Sequence, residues 1–143
     1  MSDVISEHSR AAVEQFYAGQ IHALDRGDLR TYGDTFDPDA EFVIAGRGTL
    51  RGRTEIVEHS RVLREARSTR GAVQRHYMSN YAIAETGNGV QVQGTVLTVE
   101  SVEGQGARIT GVISCRDFLR AEGADGFRVV SRTARLVESR IRG

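Results

Sequence analysis

One stretch decides the fold of this chain, residues 73–137, with the sequence VQRHYMSNYAIAETGNGVQVQGTVLTVESVEGQGARITGVISCRDFLRAEGADGFRVVSRTARLV. It divides into four segments of β-type composition, at 73–84, 90–102, 108–120 and 127–137. Glycine-rich turns separate these segments, at 87–89, 104–106 and 122–126. Strands that follow one another through short turns usually pair as antiparallel neighbours. The second half of the chain therefore predicts one curved, mostly antiparallel sheet.

Outward from this stretch, the first half of the chain is predicted to be mainly helical. Apolar residues recur at three- and four-residue intervals from Ser6 to Asp25, which is typical of an amphipathic helix, and Gly27 ends the pattern. The other predicted elements are a short helix at 28–36, a turn at 37–39, a strand at 41–45, a loop at 46–53 and a helix at 54–67. Helices followed by strands predict an α+β fold, with the helices packed over the concave face of the sheet.

The length and charge of the chain limit its partners. Its 143 residues correspond to a single domain, 1–143, and nineteen basic residues balance nineteen acidic ones. Without net charge or a basic run, we expect neither a nucleic acid nor an anionic membrane as a partner. No apolar run approaches the about 18 residues of a membrane span. The first seven residues also lack the layout of a signal peptide, so we expect a cytoplasmic protein.

The residue types present exclude several kinds of chemistry. All nineteen basic residues are arginine, so a lysine Schiff base and a lysine-containing phosphate loop are both ruled out. Cys115 is the single cysteine, and the four histidines are too scattered to give zinc-ligand spacing. We therefore expect neither a metal nor a cofactor.

Two polar residues occupy positions where the patterns call for apolar side chains. Asp25 follows Ile21 by four residues on the buried side of the first helix, and His76 shares a strand face with Met78 and Asn80. An aspartate bonded to one ring nitrogen of a histidine fixes its tautomer and leaves the other nitrogen as a base. The residues therefore indicate a general-base dyad. The alternative is a solvated aspartate at a helix end and a purely structural histidine.

Other residues are candidates for the wall of a pocket around this dyad. Ile21 and Met78 should border it, together with Leu63 from the third helix and Asn80 from the histidine face of the strand. Tyr17 and Tyr32 belong to the helices expected to line the pocket, where each can donate a hydrogen bond to a carbonyl or simply pack.

Asp117 is a further candidate, because it alternates with Ile113, Cys115 and Leu119 on one strand face. If that face is inward, Asp117 is buried. It then contacts the substrate as a base, or it forms an ion pair with an arginine of the adjacent strand such as Arg132 or Arg135. The sequence leaves both interpretations open.

Several short motifs resemble the SnoaL-like branch of the nuclear transport factor 2-like superfamily, in order and spacing, over nearly the whole chain. They are Leu24-Asp25-Arg26-Gly27-Asp28, Phe36-Asp37-Pro38-Asp39-Ala40, Gly52, Arg53 and Ile56, Arg75, His76 and Asn80, and Gly126-Phe127-Arg128. The resemblance implies a cone of curved sheet with helices folded over it and an apolar pocket inside.

The resemblance also implies roles for the two polar residues. Scytalone dehydratase and bacterial bile-acid dehydratases of this superfamily use an aspartate at the end of the first helix bonded to a strand histidine, and Asp25 and His76 match those positions. Polyketide cyclases of the superfamily also use an aspartate base, and the resemblance leaves that role open for Asp117 beside the ion pair with an adjacent-strand arginine. Three residues depart from scytalone dehydratase, because Leu24 and Ile44 replace tyrosines and Glu100 replaces a histidine.

Together these points predict an enzyme without a cofactor that acts on a hydrophobic aromatic or polycyclic ketone of polyketide type. It would remove a proton next to the carbonyl, as a dehydratase, a cyclase or an isomerase. The alternative is a non-catalytic small-molecule-binding or dimerisation module of the same fold. The sheet face opposite His76 is predicted to be apolar and to form a homodimer, through Tyr77, Tyr81, Ile83, Leu97, Val99, Val112 and Phe118.

Overall fold

The computed structural model describes residues 6–124 and 126–138. The helices are α1 (Glu7–Arg26), α2 (Leu29–Asp34) and α3 (Gly52–Thr69), and the strands are β1 (Phe36–Ile44), β2 (Gly48–Arg51), β3 (Ala72–Thr86), β4 (Gly89–Val102), β5 (Gly106–Glu122) and β6 (Gly126–Glu138). The helices pack against a curved sheet, which confirms the expected α+β class. Within the described residues, none of the helices combines the length and apolarity that crossing a membrane requires.

The six strands form one open sheet in the order β2-β1-β6-β5-β4-β3. The last four strands pair antiparallel in chain order, as the sequence predicts. β1 pairs with β6 in parallel, which brings the first strand beside the last. The core lies between the helices and the inner face of the sheet. It consists of Val13, Tyr17, Ala23, Tyr32, Phe36, Ala40, Ile56, Val90, Val92, Leu119 and Val129.

The predicted turn at 37–39 is wrong, and so is part of the predicted loop at 46–53. Residues 37–39 belong to β1, and Pro38 lies where the register of β1 on β6 shifts between Phe36 and Glu41. A proline at such an irregular position costs no ladder hydrogen bond, so the strand can contain it. β2 lies inside the predicted loop and pairs with β1, with Leu50 opposite Phe42. Its four residues are too few to show an alternating pattern.

A bulge in β3 reverses which side chains face the core. The pairing of β3 with β4 shifts between Ser79 and Ala82, and Asn80 has a positive φ of 59°. Before the bulge, His76 and Met78 face inward. After it, Tyr81 faces inward and stacks on Tyr17, with ring centroids 5.7 Å apart. One extra residue in a strand has this effect because the side-chain period of a strand is two.

The bulge corrects three of the predicted positions. Tyr81 and Ile83 pack against the core, so they do not belong to the outer face. Asn80 is exposed at the bulge and does not lie in the pocket. The sequence pattern assumed unbroken alternation along the strand, and that assumption fails at this point.

The bulge predicts opposite effects for two substitutions of Asn80. Asn80→Val should lower the free energy of unfolding by about 1–2 kcal/mol, because a β-branched side chain is strained in the left-handed region. Asn80→Gly should leave the stability unchanged or raise it slightly, because glycine adopts this region freely. Urea unfolding measures both. Equal stability of the two variants would contradict the assigned backbone conformation.

Candidate active site

Asp25 and His76 are in direct contact. Nδ1 of His76 lies 2.7 Å from Oδ1 of Asp25, and the backbone N–H of His76 donates to Oδ2 of the same carboxylate at 3.1 Å. Their side chains are only 16% and 19% exposed. Because a carboxylate only accepts hydrogen bonds, Nδ1 carries the proton and Nε2 keeps its lone pair. The ring nitrogen left for a ligand is therefore Nε2.

The end of α1 is held in place by a side chain from α3. Gly27 ends α1 with a φ of 82°, so Asp25 lies in the last helical turn. Arg64 donates to the carbonyl oxygens of Leu24 and Asp25, at 3.4 and 3.2 Å. A Cβ at position 27 would lie 2.6 Å from Cζ of Arg64, so the guanidinium occupies the space that the glycine leaves. A cation at this helix end is attracted to the negative end of the helix dipole, and it shares the carbonyl of Leu24 with the backbone N–H of Gly27.

A second group of polar residues is buried beside the dyad. Asp117, 1% exposed, accepts two hydrogen bonds from Arg132, from Nε to Oδ1 and from Nη2 to Oδ2, both at 2.8 Å. Tyr17 donates its hydroxyl proton to Oδ2 at 2.7 Å. Both oxygens of Asp117 are thus occupied, and its contacts are those of an ion pair.

Arg132 is fixed on its other sides as well. Nη2 also donates to the side-chain oxygen of Gln20 at 2.7 Å. The guanidinium lies over the rings of Phe36 and Phe42, with Cζ 5.2 and 5.5 Å from the two centroids. Burial alone would lower the pKa of Arg132, but its attraction to Asp117 outweighs burial and raises the pKa further above its usual value. Arg132 is therefore a permanent cation.

A cavity lies between α1, α2 and the inner face of the sheet. Its walls are formed by Tyr17, Gln20, Ile21, Leu24, Tyr32, His76, Met78, Val96, Cys115 and Arg132. The cavity has a volume of about 60 Å³, which at about 30 Å³ per molecule is room for about two water molecules. It is apolar on one side and carries His76 and Arg132 on its wall. Space of this size takes the reacting end of a ligand, and the rest must extend toward solvent.

Five of the nine predicted site residues line this cavity, namely Tyr17, Ile21, Tyr32, His76 and Met78. Asp25 and Asp117 lie behind the wall and hold His76 and Arg132, respectively. Asn80 and Leu63 lie outside it. Leu63 follows Ile56 by two helical turns on α3, but it lies beyond the core and is 45% exposed.

The sequence analysis missed four cavity residues, Gln20, Leu24, Val96 and Cys115, and it considered Arg132 only as a partner for Asp117. Gln20 follows Tyr17 by three residues on the buried side of α1, so the helical period could have found it. Cys115 is buried, and burial raises the pKa of its thiol to about 12, which makes it a poor nucleophile. In the part of the chain that the structure describes, no three His, Cys, Asp or Glu side chains come together as a metal would require.

Comparisons with known proteins agree with this architecture. A family model described as a SnoaL-like domain matches residues 7–133, whereas no curated protein matches the sequence significantly. A structure from Catenulispora acidiphila is 32% identical, with a TM-score of 0.78 over 89% of this chain and 90% of that one. Another from the same organism, in complex with S-DNPA, is 30% identical, with a TM-score of 0.76 over 89% and 92%. Aln2 from a Streptomyces species is 25% identical, with a TM-score of 0.86 over 93% and 94%.

Proposed function

This chain belongs to the SnoaL-like domain family, and we propose that it is a cofactor-independent enzyme that removes a proton next to a carbonyl group. The observation that carries this proposal is the pair of Asp25 and His76 at a cavity wall, with the Nδ1 side of the ring bonded to a carboxylate. Such a pair turns Nε2 into a positioned base. A module that only binds a ligand has no need for this contact.

The proposed reaction begins with transfer of a proton. Nε2 of His76 takes the proton from the carbon next to the carbonyl, and the electron pair of the C–H bond moves to the carbonyl oxygen as an enolate. Asp25 stabilises the imidazolium that forms. The imidazolium then returns its proton to a departing hydroxyl, to the oxygen formed by an aldol addition, or to another carbon. These outcomes correspond to a dehydratase, a cyclase and an isomerase.

We propose a hydrophobic aromatic or polycyclic ketone of polyketide type as the substrate. The apolar wall formed by Ile21, Leu24, Met78 and Val96 supports a ligand with little polarity. A relative 30% identical to this chain was solved in complex with S-DNPA, which supports a small-molecule ligand. The small cavity accommodates the reacting carbonyl, while further rings lie toward its mouth.

Exchange of hydrogen for deuterium tests this proposal without knowledge of the natural substrate. We expect the protein to catalyse deuterium uptake from D₂O at the carbon next to the carbonyl of 1-tetralone, followed by mass spectrometry. An aromatic ketone of this size carries the reacting group and little else. Binding of 1-tetralone without exchange above the buffer rate would instead indicate a binding module.

We also propose that the protein is a homodimer packed through the outer face of the sheet. Tyr77 remains 54% exposed on this face, next to the partly buried Leu97, Val99, Val112 and Phe118. Light scattering should give twice the chain mass of 15.7 kDa. Tyr77→Arg should shift the protein toward the monomer, because it places a charge in the centre of an apolar interface. Wild-type protein that is monomeric at micromolar concentration would contradict this proposal.

A further inference from the structure

Arg132 has hydrogen-bonding capacity that the fold does not use. A guanidinium carries five N–H donors, and three of them bind Asp117 and Gln20 through Nε and Nη2. The two donors of Nη1 bind no acceptor within the described part of the chain. In that part of the chain, every fully buried side-chain nitrogen or oxygen has a hydrogen-bond partner. Nη1 has none, so it is not fully buried. Because Arg132 lines the cavity, its free donors are open to a ligand.

We propose that Nη1 of Arg132 binds the carbonyl oxygen of the substrate and stabilises the enolate oxygen that forms when His76 removes the proton. This inference rests on the proposed function, and it assigns the second half of the reaction. His76 and Arg132 line the same cavity. A ketone held between them meets a base at its carbon and a cation at its oxygen.

The surroundings of Arg132 suit an oxygen that becomes charged during the reaction. Asp117 already balances the positive charge, so a ligand carboxylate would place two anions on one buried cation. A carbonyl is neutral in the ground state and gains negative charge only in the transition state. Interactions that strengthen there accelerate the reaction. Four contacts hold the guanidinium in advance, through Asp117, Gln20, Phe36 and Phe42, so little reorganisation is needed.

Other polar side chains on the cavity wall are less suited to this role. The proton of Tyr17 is donated to Asp117. One N–H of the Gln20 side-chain amide donates to Thr35 at 2.7 Å, the amide oxygen accepts from Arg132, and the second N–H is a neutral donor that is weaker than a guanidinium. The Sγ of Cys115 faces Asp117 at 3.5 Å and is at most a weak donor. Tyr32 is the remaining rival, and the experiment includes it.

Binding of 4-nitrophenol tests the inference, because its anion resembles an enolate and differs in colour from the neutral phenol. We expect the wild type to prefer the anion about 10- to 100-fold more strongly than Arg132→Lys does, as for a hydrogen bond from a charged donor. Lysine keeps a cation beside Asp117 but lacks the second nitrogen. Circular dichroism and urea unfolding check that the variant is folded. The variant with both Asp117→Leu and Arg132→Met removes the ion pair as a unit and should lose the same preference.

Two further variants show whether the preference for the anion depends on Arg132 or on another residue. His22→Ala should keep the preference for the anion, because His22 is exposed on α1 away from the cavity, whereas Tyr32→Phe should change the preference by less than Arg132→Lys does. An unchanged preference in Arg132→Lys, a loss confined to Tyr32→Phe, or a wild type that does not favour the anion would each overturn the role of Arg132. If the wild type favours the anion but does not exchange hydrogen in 1-tetralone, the proposed function fails and the anion site remains.

Discussion

Replacing His76 with alanine is expected to lower the rate of hydrogen exchange in 1-tetralone about a hundredfold or more. Positioned general bases contribute about 10² to 10⁴ to a rate, and Nε2 of His76 is the only nitrogen that we assign to the proton. The measurement is the deuterium content of the ketone against time, at saturating substrate. His22→Ala is the matched control, because His22 is exposed on α1, and its exchange rate should equal that of the wild type.

Asp25→Asn should reduce the exchange rate less than His76→Ala. An amide can still hold the ring, but it cannot stabilise the imidazolium, and its NH₂ group cannot accept a hydrogen bond where one of the two carboxylate oxygens accepts now. Binding of the ketone should persist while the proton-transfer step slows, so kcat falls more than KM changes. A fully active His76→Ala protein would exclude the dyad as the source of the activity.

The second large effect concerns stability. Asp117→Ala should lower the free energy of unfolding by about 3–5 kcal/mol, because it leaves the buried Arg132 without its counter-charge. It also removes the acceptor of the Tyr17 hydroxyl. Domains are typically stable by about 5–15 kcal/mol, so this loss is a large share of the total. Urea unfolding at constant pH gives the value.

Two comparison variants show whether burial of the pair is the cause. Replacing both partners, Asp117→Leu with Arg132→Met, should be far less destabilising than Asp117→Ala, because no buried charge is left unpaired. Glu58→Ala breaks an exposed ion pair with Arg61 on α3, and it should cost less than about 1 kcal/mol. A double variant as unstable as Asp117→Ala would show that packing, and not charge, causes the loss.

The sequence predicted much of the fold because that part depends on local patterns. The strands β3 to β6 lie within two residues of the predicted segments at each end, since turn glycines and strand composition are short-range signals. Asp25 and His76 stood out because each breaks an apolar pattern on its own element. Both observations need only a few neighbouring residues.

Features that depend on distant packing were not predictable in this way. The bulge at Asn80 lies opposite Gly94 of β4, where an added Cβ would come within 2.8 Å of Cε of Met78. This close approach can be predicted only when it is known which strands pair. Gln20 and Arg132 are 112 positions apart, and no periodic pattern relates them. Their contact requires α1 to lie over the sheet at a specific angle, which only the assembled fold determines.

The position of Gly27 under the guanidinium of Arg64 makes the two residues depend on each other during evolution. A chain that acquires alanine at position 27 while it keeps Arg64 must displace the guanidinium and lose its bonds to Leu24 and Asp25. A chain that first loses Arg64 loses the same bonds in that step, and alanine at position 27 then adds only the strain of the left-handed backbone. The order of the two mutations therefore decides whether both costs fall in one step or in two, and the last turn of α1, which carries Asp25, changes most readily after α3 has changed.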